Sequence, residues 1–251
     1  MKCNLNHNQK EKGDPRLREI VEQYDRYKIG LDDSFRFHCT MCGKCCVNRE
    51  DILLTPKDLF NIAKELGLTP VEVLEQYCET YIGDTSRIPL IRLKPRGEIK
   101  RCPLLKDHKC SVHKCKPVVC AMFPLGRAFK FENGLDPEKI APAHVDYLFM
   151  DPDCGDRSET HTVREWLNSF GIPVEDEFFL QWQRTVNAIS TTIRETERNA
   201  DSKRLRDLWK SLLVLLYLAY DTGKDFLEQF SKNASFAVQL TNAFRDSEAT
   251  A

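Results

Sequence analysis

Four cysteines fall within eight residues, Cys39-Thr40-Met41-Cys42-Gly43-Lys44-Cys45-Cys46, and this C-x-x-C-x-x-C-C run constrains the fold more than any other feature of the chain. A thiol at every third position lets one tight loop turn several sulfurs toward a single ion or cluster, the short-range geometry of zinc and iron–sulfur sites. Gly43 inside the run supplies the left-handed backbone that such a turn needs and leaves no side-chain bulk beside a metal. A disulfide knot is the competing reading. Adjacent Cys45 and Cys46 cannot easily bridge each other, and the Met1–Asn8 stretch is polar, without the apolar core of a secretory leader. The cytosol is therefore the expected compartment, and metal the expected business of the thiols.

The other cysteines are also grouped. Cys102, Cys110, Cys115 and Cys120 lie within nineteen residues, and Cys154 follows alone in the turn-rich Asp151-Pro152-Asp153-Cys154-Gly155. Two dense patches separated by a foldable insert can close a site from both sides. Cys3, in a polar N-terminus, and Cys78, in a helical stretch, read as bystanders. Eleven cysteines in 251 residues fall below the density of a disulfide scaffold, so the clustering matters more than the count.

The run itself, then Cys102-Pro103-Leu104-Leu105, Cys110-Ser111-Val112-His113 and Lys116-Pro117-Val118-Val119-Cys120-Ala121-Met122-Phe123-Pro124, resemble the YkgJ-type cysteine-cluster family, a zinc- or iron-chelating domain. In that family the last segment typically reads Arg-Pro-x-x-Cys-Arg-x-Phe-Pro, so Lys116 and Ala121 stand where arginine is usual. Lysine lacks the forked donors of arginine, which weakens a cationic contact to a cluster or partner while the ligand pattern survives. The resemblance covers about residues 36 to 155 and implies Cys39, Cys42, Cys45, Cys46, Cys102, Cys110, Cys120 and Cys154 as metal ligands. Cys115 matches no expected ligand. His113 has the reach to replace one sulfur, but aromatic residues are common at that family position, which favours packing. The domain is also similar to part of the flagellin lysine methylases, yet no methyl-donor motif here justifies carrying that activity across.

Thiolate-rich sites suit zinc and iron–sulfur clusters alike. Structural zinc usually shows two separated C-x-x-C pairs, whereas the compressed run resembles cluster-binding ferredoxin loops, which favours iron. Four of the eight sulfurs would complete one 4Fe-4S cluster and all eight could complete two. Two functions follow: a redox or cluster-carrying protein, or a structural zinc module whose helical extension mediates protein interaction. No nucleophile elbow, phosphate loop, dinucleotide fingerprint or pair of catalytic acids marks an enzyme.

Periodicity gives a predominantly α chain with a few short β-strands. Its expected parts are an N-terminal polar segment and helix (1–35), a metal-stapled cysteine-cluster module (36–157) and a C-terminal helical extension (158–251). Asp14 to about Lys28 reads as a helix. Thr55-Pro56-Lys57-Asp58 and Thr69-Pro70-Val71-Glu72 each read as a threonine cap, a proline at the first helical position and an acid in the first turn. Ile88–Lys100 suggests a hairpin turning near Pro95-Arg96-Gly97, and Gly126–Phe131 with His144–Phe149 a second one around Glu132-Asn133-Gly134. From about Ser158 four helices are expected: Val163 to Gly171, Pro173 to about Arg198, Asp201 to Tyr220 and Gly223 to about Asn233. The apolar run Leu208–Tyr220 holds Lys210 and spans thirteen residues, short of the roughly twenty a membrane span needs, so it reads as a buried helix. With 37 basic and 38 acidic residues well mixed, nucleic acid is not an expected partner. A protein partner on the helical extension is.

Overall fold

The computed structural model of the chain describes residues 20, 22–50, 52–129 and 139–249. The first part of the expected N-terminal helix falls outside them; within them α1 (Tyr24–Tyr27) is helical. Strand β1 (Lys28–Ile29) and strand β2 (Ser34–His38) follow, and alternation in β2 buries Phe35 and Phe37. After the cysteine run, β3 (Leu53–Leu54) leads into α2 (Pro56–Leu66) and α3 (Pro70–Tyr77). Both helices begin as the sequence proposes. The Thr55 hydroxyl accepts from the Asp58 amide while the Asp58 carboxylate accepts from the Thr55 amide at 2.9 Å, and Thr69 with Glu72 repeats the arrangement. Each such cap is worth about 1 kcal/mol.

Strand β4 (Cys78–Ile82) and strand β5 (Pro89–Leu93) join β3 in an antiparallel sheet of order β3-β5-β4. The hairpin expected over Ile88–Lys100 is therefore corrected. The alternation marks a real strand, but β5 is the middle of a sheet and spends its edges on β3 and β4, leaving only an Arg96–Arg101 bridge beyond Pro95. A hairpin does form in the second cysteine patch, between β6 (Leu105–Lys106) and β7 (Lys109–Cys110), turned by Asp107 and His108 at φ +46° and +59°. Helix α4 (Val118–Met122) precedes β8 (Leu125–Phe129), which pairs with β9 (Val145–Phe149) as expected, with β1 on the other side of β9. The turn placed at Glu132-Asn133-Gly134 lies outside the described residues. Strand β10 (Asp156–Thr162), which the sequence reading did not foresee, pairs antiparallel with β2.

Four helices close the chain: α5 (Val163–Ser169), α6 (Glu177–Thr196), α7 (Ser202–Leu213), which continues through a π-type turn at Val214–Leu218, and α8 (Phe226–Glu248). Helix α8 outruns its expected end near Asn233. Asn233 is not a stop signal here: its side-chain amide donates to the Ala219 carbonyl at 2.9 Å, anchoring the preceding loop. The fold is thus predominantly α with small sheets.

Two hydrophobic cores hold these elements. The larger joins α2 and the β3-β5-β4 sheet to α6, α7 and α8, through Leu59, Phe60 and Ile91 on one side and Trp182, Tyr217 and Phe230 on the other. The smaller joins Phe35 and Phe37 of β2 to Trp166 and Leu167 of α5 and to Met122 and Leu125. Both cores draw residues from either side of residue 157. The Leu208–Tyr220 run contributes Leu212, Leu216 and Tyr217 to the larger one, and no described helix is long and apolar enough to cross a membrane.

Candidate metal centre

The C-x-x-C-x-x-C-C run forms a loop with a single 3-10 turn, Lys44–Cys46, entered through Gly43 in the left-handed region at φ +74°. The Gly43 carbonyl accepts from the Cys46 amide at 2.9 Å, which curls the run on itself. The Cys46 carbonyl in turn accepts from the Cys102 amide at 2.8 Å, so the two patches are tied main chain to main chain at their cysteines. The β6–β7 hairpin presents Cys110. Cys120 sits in α4, whose first amide, that of Val118, donates to the buried Asp58 carboxylate at 2.8 Å and so fixes this helix to α2.

The β2–β10 ladder supplies the remaining sulfur. It places Asp156 opposite His38, so Cys39, just after β2, and Cys154, just before β10, emerge side by side. Lys44 reaches across and donates to the Asp153 carbonyl at 3.1 Å, and Arg157 holds the Asp151–Cys154 loop through the Pro152 and Cys154 carbonyls and the Asp151 carboxylate.

Cys39, Cys45, Cys46, Cys102, Cys110 and Cys120 line one largely apolar cavity of about 260 Å³. Cys42 and Cys154 adjoin it, Cys154 being an electrostatic neighbour of Cys42 and of the cavity-lining Cys39 and Cys45. The electrostatic neighbours fall into two sets that meet at Cys45: Cys39 and Cys42 beside Cys154, and Cys102 and Cys120 beside Cys46, with Cys110 beside Cys102. Cys45 and Cys46, with sulfurs 3.9 Å apart, are hydrogen-bonded to each other. The hydrogen bond from Cys46, aided by the positive charges of Arg49 and Lys116, holds the Cys45 thiol at about 6, below its ordinary range, and the same bond pushes Cys46 up. Burial raises Cys102, and raises Cys120 to about 12 and Cys154 to about 11. Crowded thiols that resist losing their protons in an apolar wall call for a cation, whose charge deprotonates a coordinating thiol. The donor set fits a thiophilic metal.

All ten cysteines among the described residues are free thiols. No three His, Cys, Asp or Glu side chains among the described residues stand close enough to form a ready-made single-ion site. Cys78 is buried in the larger core, as a bystander would be. Cys115 lines a neighbouring cleft rather than the thiol cavity, and His113 lines both. Arg49, which stands near Cys45 and Cys120, and Arg157 were not singled out by the sequence reading, because a lone arginine carries no spacing signal.

Residues 38–147 match the family model named CxxCxxCC, described as "Putative zinc- or iron-chelating domain". This segment is similar to that domain. It takes in seven of the eight expected ligands, and Cys154 lies beyond its end. The chain is also similar to a curated protein of Methanocaldococcus jannaschii described only as uncharacterized, 31% identical over 108 residues, covering 41% of this chain and 50% of that protein. The chain thus spans about half the length of the curated relative it matches. No solved structure matches the chain at a significant level.

Just beyond the matched segment, Gly155 is the tightest joint beside the thiols. It sits at φ +66°, and a Cβ there would strike the His38 carbonyl and come within 2.7 Å of the Phe37 ring. Gly155→Ala is expected to pry β10 from β2, moving Cys154 away from Cys39 and Cys42. The expected result is a stability loss of about 2–3 kcal/mol with a lower metal content per chain, read by thermal melting and elemental analysis. Unchanged metal content and melting temperature would show that the ladder does not hold the site.

Proposed function

We propose that the CxxCxxCC segment carries one or two iron–sulfur clusters in a redox or cluster-supporting role. The observation that supports this most is the donor count: six cysteines line one cavity and two more adjoin it, twice what a tetrahedral zinc takes. The division of these sulfurs at Cys45 favours two centres sharing the loop over one. Cys39, Cys42, Cys45 and Cys154 would hold one cluster, and Cys46, Cys102, Cys110 and Cys120 the other. Bound there, a cluster would supply one-electron chemistry, and the protein would tune it through the apolar walls and the nearby charges of Arg49 and Lys116. Cys39 and Cys42 are exposed, so such a centre would lie near enough to the surface to serve a docked partner.

Protein produced without oxygen is expected to be brown, with iron and acid-labile sulfide in equal amounts at about four or eight per chain. Colourless anaerobic protein with zinc as the only stoichiometric metal would overturn the proposal and promote the structural zinc reading.

A further inference from the structure

Beside the thiol cavity, and sharing His113 and Lys116 with it, is a second, larger cleft of about 530 Å³. That size lies within the roughly 300–1,000 Å³ of small-molecule sites. Its walls come from the first turn of α2, the 113–118 segment, the loop after α5 and the start of α6.

The charge of this wall is one-sided. Lys57, Lys114, Lys116 and Arg127 line it, against the carboxylates of Asp58 and Asp176. Both acids are already committed. Asp176 accepts from Arg127 at 3.0 Å and caps α6 through the Phe179 amide at 3.0 Å. Asp58 is buried and accepts from Thr55 and Val118. Among the described residues no ion pair engages Lys57, Lys114 or Lys116. Two of these ammonium groups rest on aromatic faces instead: Lys57 stands 5.6 Å from the Phe178 ring centre and Lys116 4.3 Å from that of Phe170. Cations held over rings keep their charge without a neutralising carboxylate, and the same rings offer apolar surface to a ligand.

We propose that this cleft binds a small organic anion, a carboxylate or phosphate ester with an apolar body. Lys57, Lys114 and Lys116 take the charged head, while Phe170, Ile172 and Phe178 face the body. Carboxylate and phosphate share this chemistry, and the cleft lies against the His113–Cys115 turn that separates it from the cysteines, so its ligand abuts the metal centre. The site depends on the cleft alone and holds whether the metal is iron or zinc.

The test uses the full-length protein as purified with its metal, and titrates phenyl phosphate and benzoate by calorimetry and NMR. Benzylamine serves as a like-shaped cation and inorganic phosphate as a head without a body. Saturable binding of phenyl phosphate or benzoate is expected, at least about tenfold tighter than that of benzylamine or inorganic phosphate. The stronger of the two aromatic anions identifies the head the site prefers. Lys57→Gln with Lys114→Gln should weaken the tighter probe about tenfold at unchanged melting temperature, and Lys57→Arg with Lys114→Arg should restore it. Equal binding of benzylamine, equal binding of inorganic phosphate, full-strength binding by the glutamine variant, or no saturation by either aromatic anion would each overturn the proposal.

Discussion

Removing the metal from the intact protein is expected to strip hydrogen-exchange protection from residues 39–50 while α2 and α6 to α8 keep theirs. The reason is where the apolar contacts lie. No described residue from Cys39 to Glu50 is buried, so this stretch has no core of its own, whereas α2 and the last three helices share the larger core. In a stretch of that kind metal–thiolate bonds supply the folding free energy, on the order of 10 kcal/mol of apparent local stability. Cys45→Ser, which removes the sulfur common to both groups, should reproduce much of the loss. Exchange measured with and without chelator decides it. A cysteine loop that stays protected after complete metal removal would mean that the protein scaffold alone sets the site.

Phe226→Ala is expected to cost about 3–5 kcal/mol and to lower the melting temperature by on the order of 10 °C. Phe226 is buried at the start of α8, with ring centres 5.1 Å from Phe60, 5.2 Å from Phe178 and 5.3 Å from Tyr220. Phe60 belongs to α2, inside the segment that matches the family model, and the other two lie in the C-terminal part of the chain, Phe178 in α6 and Tyr220 just after the turn at Val214–Leu218. Truncation therefore opens a cavity where the two parts meet, and a single melting transition should shift as a whole. Two transitions, of which only the later helices' moves, would instead establish residues 36–157 and 158–251 as separate folding units.

The legibility of this chain follows the range of its interactions. The starts of α2 and α3 were readable because a capping box is complete within four residues. The β8–β9 pair was readable because its strands are consecutive in the sequence. Strand β5 was recognisable but its partners were not, since Ile91 and Leu93 record that they are buried and say nothing of which strand lies beside them. The β2–β10 ladder escaped altogether. The Asp156–Thr162 stretch is polar, with no buried residue among its exposed and half-buried positions, and its partner lies more than a hundred residues upstream. At the site, the spacing and the family resemblance named the cysteines, while the sorting of sulfurs around Cys45 rests on contacts between distant segments that no local spacing encodes.

The position of that ladder bears on how the site is assembled. Cys39 and Cys154 are separated by more than a hundred residues, and in an open chain the cost of bringing such ends together rises with the logarithm of the intervening length. Strand pairing meets that cost in advance. The last sulfur is thereby kept at a high effective concentration beside the loop, and an incoming ion need not recruit it from solution. A fragment ending at residue 147, where the family match stops, would carry seven of the eight thiols and lack both the eighth and the strand that delivers it. With the ligand set proposed above, which includes Cys154, the smallest unit expected to close this centre is longer than the segment matched by the family model.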